Sequence, residues 1–158
     1  MDEYVGPSSA TLENFMTRFT SFYSEISGLI GKIVGSATAH HRLLWLHPFL
    51  DGNGRVARLF TDACLIRIPV EEYGIWTISR GLARNRDRYK SKLAFADSIR
   101  RGDLDGRGNL SDSGLYAFCV FFLNPRLTKL ILCPAFSGLM QYSNASWLTH
   151  NTRQALGS

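Results

Sequence analysis

Two helical periods meet across a stretch that no helix can cross, and this break constrains the 158-residue chain more than any other feature. Before it, Ala37, His40, His41, Leu44 and Trp45 follow helical spacing until Pro48, which lacks the N–H a helix needs and clashes with the preceding turn. After it, Val56, Leu59, Phe60, Ala63 and Ile66 recur on one side until Pro69. The loop from His47 to Gly54, HPFLDGNG, therefore lies between the end of one helix and the start of another.

The same periodicity predicts a helix from about Thr11 to Ser27 that Ser8 or Ser9 can cap, after which Gly28, Gly31 and Gly35 loosen the chain. Ile75 to Ile78 reads as a short extended piece. A basic helix from about Gly81 to Ile99 turns Leu82, Tyr89, Leu93 and Ala96 inward. A polar loop from Arg101 to Asn109 then leads into a helix from about Ser111 to Leu123. The layout is all-α, and a fold class of that kind does not specify function.

Composition narrows the options. Hydrophobic residues make up 45% and charged residues 20%, ordinary values for one globular domain, and no apolar run approaches the roughly 18 residues that span a bilayer. The first 20 residues lack the pattern of a secretory signal. Cys64, Cys119 and Cys133 are odd in number and form no C-x-x-C pair, which argues against a disulfide framework or a structural zinc site and fits a cytoplasmic protein. The net charge of +5 is concentrated: Arg80 to Arg107 holds nine Lys or Arg against four Asp. Such a strip suits an anionic partner, although on charge alone a solvated helix face is the favoured reading.

The segment HPFLDGNGRVAR, His47 to Arg58, gathers a base, a carboxylate, two glycines, an amide and two arginines at a helix entrance. A helix N-terminus presents unpaired N–H groups and the positive end of its dipole, so a Gly-Asn-Gly turn entering it can wrap donors around phosphate oxygens. Gly52 and Gly54 allow close approach. Arg55 and Arg58, three apart, share a side of the first turn and can neutralise successive phosphates. Asp51 offers the hard oxygen that Mg²⁺ takes beside phosphates, and His47 accepts a proton near neutral pH. Taken singly, these residues also have structural explanations: Asp-Gly and Asn-Gly are common turns, Pro48 ends a helix, and Phe49 anchors the loop in the core.

As a string, the segment resembles the HPFx[DE]GNGRxxR signature of the Fic (Fido) family at every fixed position. Upstream, YVGPSSATLENFM is similar to the family segment that joins a target-binding flap to the first core helix. Downstream, SRGLARNRDRYKSKL is similar to its nucleotide-side helix, and RRGDLDGRGNLS to a loop of many bacterial members. The resemblance implies a Fic-type helical core over residues 1–123 and transfer of AMP from Mg·ATP to a Ser, Thr or Tyr hydroxyl of a protein target. By position it implies that His47 is the base, Asp51 the Mg²⁺ ligand, and Gly52, Asn53, Gly54 and Arg55 the hole for the α and β phosphates. Arg58 would bind the γ phosphate, with Asn85 and Tyr89 bordering the adenosine. Asn85 and Tyr89 also read as a solvated amide and a core aromatic. No membrane and no nucleic-acid partner is expected.

Some features depart from the family. SATLEN, Ser9 to Asn14, fits the pattern of an inhibitory helix, but it lies in the first core helix, where Glu13 reads as helix-end stabilisation. Only 46 residues precede His47, so a complete flap is not expected and the chain reads as a fragment. Residues 124–158 form an atypical tail: NPRLTKLILCPAF stands where a DQxxFM-like helix is usual, and a shifted reading of codons able to encode LTKLILCP can give DQADFMS, so a frameshift near Asn124 is expected. DLDGRGNLSD resembles a Ca²⁺ loop, but Arg107 and Gly114 occupy ligand positions, which favours a polar turn capped by Ser111. His40 and His41 lack the spacing of a metal pair and read as packed or surface residues. Alternatives to AMP transfer are a catalytically weak nucleotide-binding remnant, a Doc-like transfer of another phosphate-linked group, and a nucleic-acid module resting on the basic strip alone.

Overall fold

The computed structural model describes residues 7–68, 78–106 and 108–124. Six helices occur among them: α1 Ser9–Glu25, α2 Leu29–Leu46, α3 Asn53–Ile66, α4 Ile78–Arg84, α5 Arg86–Ala96 and α6 Asp112–Phe122. The described residues are thus all-α, with one isolated antiparallel bridge between Ile99 and Leu110. The chain divides into two compact units, residues 1–68 and 69–158. The expected extended piece falls on residues 75–77, outside the described residues, and Ile78 itself opens α4. The tail after Asn124, expected to be atypical, and the segment before Pro7 also lie outside them.

The first unit is built by α1, α2 and α3. Phe19, Ala39, Leu43, Leu46 and Ala57 form its buried centre, and Leu12, Phe15, Met16, Tyr23, Trp45 and Phe60 pack around it. Phe15 meets Trp45 edge-on at 6.0 Å and Phe19 lies 5.6 Å from Phe60, geometries that favour aromatic pairs beyond their burial alone. Of the glycines expected to loosen the chain, Gly28 stands at the N-cap of α2 with φ 76°, whereas Gly31 and Gly35 lie inside the helix. Ile26 explains this, because its side chain covers Gly31 and Gly35, and a Cβ on Gly35 would stand 2.8 Å from Ile26 Cδ1. Ser8 occupies the N-cap of α1 without a side-chain cap bond; its hydroxyl meets that of Thr11 at 3.1 Å. Glu13 is exposed and lies past the first turn of α1, so the expected helix-end role does not hold. No Glu13–Arg58 ion pair exists among the described residues.

In α3 the inward face is not the apolar one. Leu59 and Ile66 are 68% and 62% exposed, whereas Asn53, Ala57, Thr61, Asp62 and Leu65 are buried. Asn53, Ala57, Thr61 and Leu65 repeat every four residues, so α3 turns a small and polar stripe inward.

In the second unit the single basic helix expected after Gly81 is two helices, α4 and α5, divided at Asn85. The Asn85 amide donates to the Gly81 carbonyl at 3.1 Å, while its own carbonyl starts the next helix by accepting from the Tyr89 N–H at 2.8 Å. Gly114 lets α6 approach α5 closely, because a Cβ there would collide with the Phe95 carbonyl. Between these helices Asp105 organises the polar loop: its carboxylate accepts from the Ser113 N–H at 2.7 Å, the Arg101 N–H at 3.2 Å and the Ser111 hydroxyl at 2.9 Å. Those donors, chiefly the Ser113 N–H, hold the Asp105 carboxyl well below the usual carboxylate range. Ser111 caps α6 by accepting from the Gly114 N–H at 3.0 Å, the turn expected in place of a Ca²⁺ loop.

Candidate active site

Helix α2 ends because Pro48 disfavours right-handed helical geometry at the residue before it. His47 takes the left-handed conformation instead, with φ 48° and ψ 53°, and is the only non-glycine residue with positive φ among the described residues. Its N–H still bonds the Leu43 carbonyl at 3.3 Å, so its backbone remains part of the last turn of α2. A non-glycine residue held in this region costs on the order of 1 kcal/mol, and such residues concentrate at functional sites. The imidazole of His47 is exposed.

The loop closes on Asn53. Its amide oxygen accepts from the Phe49 N–H at 3.0 Å while its amide nitrogen donates to the Phe49 carbonyl. This two-way clamp fixes the backbone of Phe49, whereas the residue as a whole is 50% exposed. The expected anchoring of the loop by the Phe49 side chain is therefore replaced by anchoring through the peptide groups of that residue. The side chain of Asn53 is engaged in the clamp, and only its backbone faces the helix entrance.

Gly52 is the N-cap of α3 and has φ 84°, a conformation that side chains resist. Its carbonyl accepts from the N–H groups of Arg55 at 2.8 Å and Val56 at 3.0 Å. The N–H groups of Asn53 and Gly54, first in the helix, have no carbonyl one turn back and form the donor end of α3. Both arginines fold over this end. A Cβ on Gly52 would lie 3.2 Å from the Arg55 guanidinium, and one on Gly54 would lie 3.4 Å from that of Arg58. Two cations and two unpaired N–H groups thus converge on one patch, which suits a phosphate chain. Asp51 lies at its edge and pairs with Arg55 at 3.0 Å; both side chains are largely exposed.

Beneath this surface lies a polar seam that the periodicity did not reveal. His40 of α2 is fully buried, and its Nδ1 lies 2.8 Å from the Thr61 hydroxyl of α3, which in turn donates to the Ala57 carbonyl at 2.8 Å. Burial lowers the His40 pKa to about 3, against a raising contribution from the Ala57 backbone, and neighbouring His41 and Arg58 add to the lowering. His41 is buried as well, so both histidines are packed. The legible signal was Thr61, a hydroxyl set at helical spacing between Ala57 and Leu65.

Asn85 and Tyr89 belong to the second unit. Asn85 bridges α4 and α5, and the Tyr89 ring packs 6.4 Å from Phe118, so each has a structural role there. A separate cleft of about 640 Å³, lined by Phe19, Tyr23, Ile26, Gly35, Phe60 and Cys64 among others, includes none of the residues from His47 to Arg58. Among the described residues no cluster of three or more His, Cys, Asp or Glu could hold a metal by itself, and no helix is long and apolar enough to cross a membrane.

Residues 1–65 match the model of the Fic/DOC family. Over 68 residues the chain is 37% identical to "Protein adenylyltransferase Fic" of Nematostella vectensis, a span covering 42% of this chain and 16% of that protein. Over 65 residues it is 38% identical to the protein of the same name from Drosophila willistoni and 37% identical to that from Drosophila melanogaster; each span covers 40% of this chain and 13% of the relative. The chain therefore spans only a small part of the length of these curated relatives.

Proposed function

We propose that this chain, whose residues 1–65 carry the Fic/DOC segment, is a nucleotidyltransferase that moves AMP from ATP to a hydroxyl side chain of a protein target. The observation that carries the reading is the donor end of α3, where the Gly52–Gly54 turn, Arg55 and Arg58 converge beside a base displayed at the end of α2. The amides of the turn and Arg55 hold the α and β phosphates, and Arg58 holds the γ phosphate. His47 takes the proton of the attacking Ser, Thr or Tyr hydroxyl. The target oxygen forms a bond to the α phosphorus, the bond from that phosphorus to pyrophosphate breaks, and the proton resides on the imidazole. Most of the barrier reduction comes from position and charge, as expected where the protein forms no covalent intermediate.

Asp51 would hold Mg²⁺. A lone carboxylate fits that ion, which usually takes one or two protein oxygens and completes its shell with water and phosphates. When bound, it would neutralise and orient the phosphate chain. The Asp51–Arg55 pair is exposed enough to exchange partners at little cost, leaving Arg55 for phosphate and the carboxylate for the cation. Asn85 and Tyr89 are proposed to border the adenosine, and the compartment is proposed to be the cytoplasm.

Incubating the chain with a lysate, Mg²⁺ and ATP labelled at either the α or the γ phosphate tests the reading. Protein-bound α label that is lost in His47→Ala, with Mg·ATP affinity kept within a few-fold, is the expected result. Incorporation of γ label would replace AMP transfer with phosphoryl transfer, and absence of any Mg·ATP binding would remove both.

A further inference from the structure

Because α2 ends at His47 and α3 begins at the phosphate turn, whatever fixes one helix against the other fixes the two halves of the site together. Apolar contacts between helices are non-directional and tolerate small sliding movements. A directional contact crosses this seam. His40 Nδ1 and Thr61 Oγ1 are 2.8 Å apart, and the Thr61 hydroxyl directs its single proton to the Ala57 carbonyl at 2.8 Å. With the Thr61 proton on the Ala57 carbonyl, Thr61 accepts from Nδ1, an arrangement that corresponds to a neutral Nδ1–H imidazole. Both side chains are fully buried, so neither touches a substrate.

Their places in the helices link them to the site. His40 precedes His47 by seven residues, two turns along one face of α2 and about 10 Å along its axis. Thr61 follows Arg58 by three residues and shares its side of α3, and Ala57 is the chain neighbour of Arg58. We propose that His40 and Thr61 are positioning residues whose hydrogen bond sets the register of α2 on α3 and so fixes His47 relative to the Gly52–Gly54 turn. This deepens the adenylyl-transfer reading and, for its catalytic consequence, rests on it. A slip of about 1 Å between base and phosphate is enough to cost as much as a hundredfold in rate.

Thr61→Val removes the hydroxyl while preserving shape, and Thr61→Ser retains it. At saturating Mg·ATP, Thr61→Val should slow label transfer by about tenfold or more with the dissociation constant within threefold, and Thr61→Ser should restore the rate. An unchanged rate in Thr61→Val overturns the proposal. A second readout needs no activity: in NMR spectra the His47 imidazole and Gly54 amide should both shift in Thr61→Val and stay in place in Thr61→Ser. Unmoved signals in Thr61→Val overturn the proposal even in a chain that transfers no label. Moved signals in such a chain would remove the adenylyl reading and leave the register role standing. A third measurement needs no variant: imidazole nitrogen shifts of the wild-type chain should report Nδ1–H at His40, and an Nε2–H tautomer would overturn the assignment.

Discussion

Acidification should destabilise the first unit through one histidine. His40 has no exposed surface, and burial brings its pKa from an ordinary 6.5 to about 3, with the positive charge of Arg58 and the neighbouring His41 contributing in the same direction. The unfolded chain binds a proton at this site below pH 6.5, and the folded chain does not until about pH 3. Stability from this group is therefore complete above 6.5 and is lost as the pH falls towards 3. The slope approaches about 1.4 kcal/mol per pH unit once the unfolded imidazole is charged, so lowering the pH from 7 to 5 should remove about 2 kcal/mol. Urea midpoints at both pH values, for the wild-type chain and His40→Gln, measure the difference. The variant should show the smaller pH dependence by about that amount, since the other titrating groups are common to both. Equal losses in the two chains would refute the reasoning, as would an NMR titration of His40 in the folded wild type with a midpoint near 6.5.

Asn53→Ala should lower stability by about 1–2 kcal/mol, because it deletes both bonds to the Phe49 peptide, and it should weaken Mg·ATP binding measured by calorimetry. Asn53→Asp should not rescue it, since a carboxylate keeps the acceptor but faces the Phe49 carbonyl with a second oxygen; full rescue would refute the two-way clamp. Gly114→Ala should destabilise by about 3 kcal/mol in urea unfolding, because the added methyl meets the Phe95 backbone rather than a movable side chain, and a loss below about 0.5 kcal/mol would contradict that geometry. Asp51→Asn should shift the melting temperature of the unliganded chain by no more than about 2 °C, because the pair with Arg55 is exposed. The same variant should reduce the extra thermal stabilisation that Mg²⁺ adds to ATP, and retention of the full increment would remove Asp51 as the cation ligand.

The backbone of the loop between α2 and α3 was legible in the sequence because it follows from neighbouring residues. Proline before a turn, glycine at φ 84° and two arginines three apart each follow from local backbone rules, and local rules act on neighbours in the chain. The faces of the helices were less legible. Leu59, Ala63 and Ile66 share a spacing that favours burial, yet α3 buries Asn53, Ala57, Thr61 and Leu65 instead. The reason is non-local: Thr61 answers a histidine 21 residues earlier, and Asn53 answers the peptide groups of a loop rather than the side chains of another helix. Such partners have no period. Gly31 and Gly35 misled for the same reason, because Ile26, across a turn, fills the space their missing side chains leave. In α2 and α3, residues that look weak or polar by propensity make the contacts that fix two helices in register, and that register determines where His47 stands relative to the donors of α3.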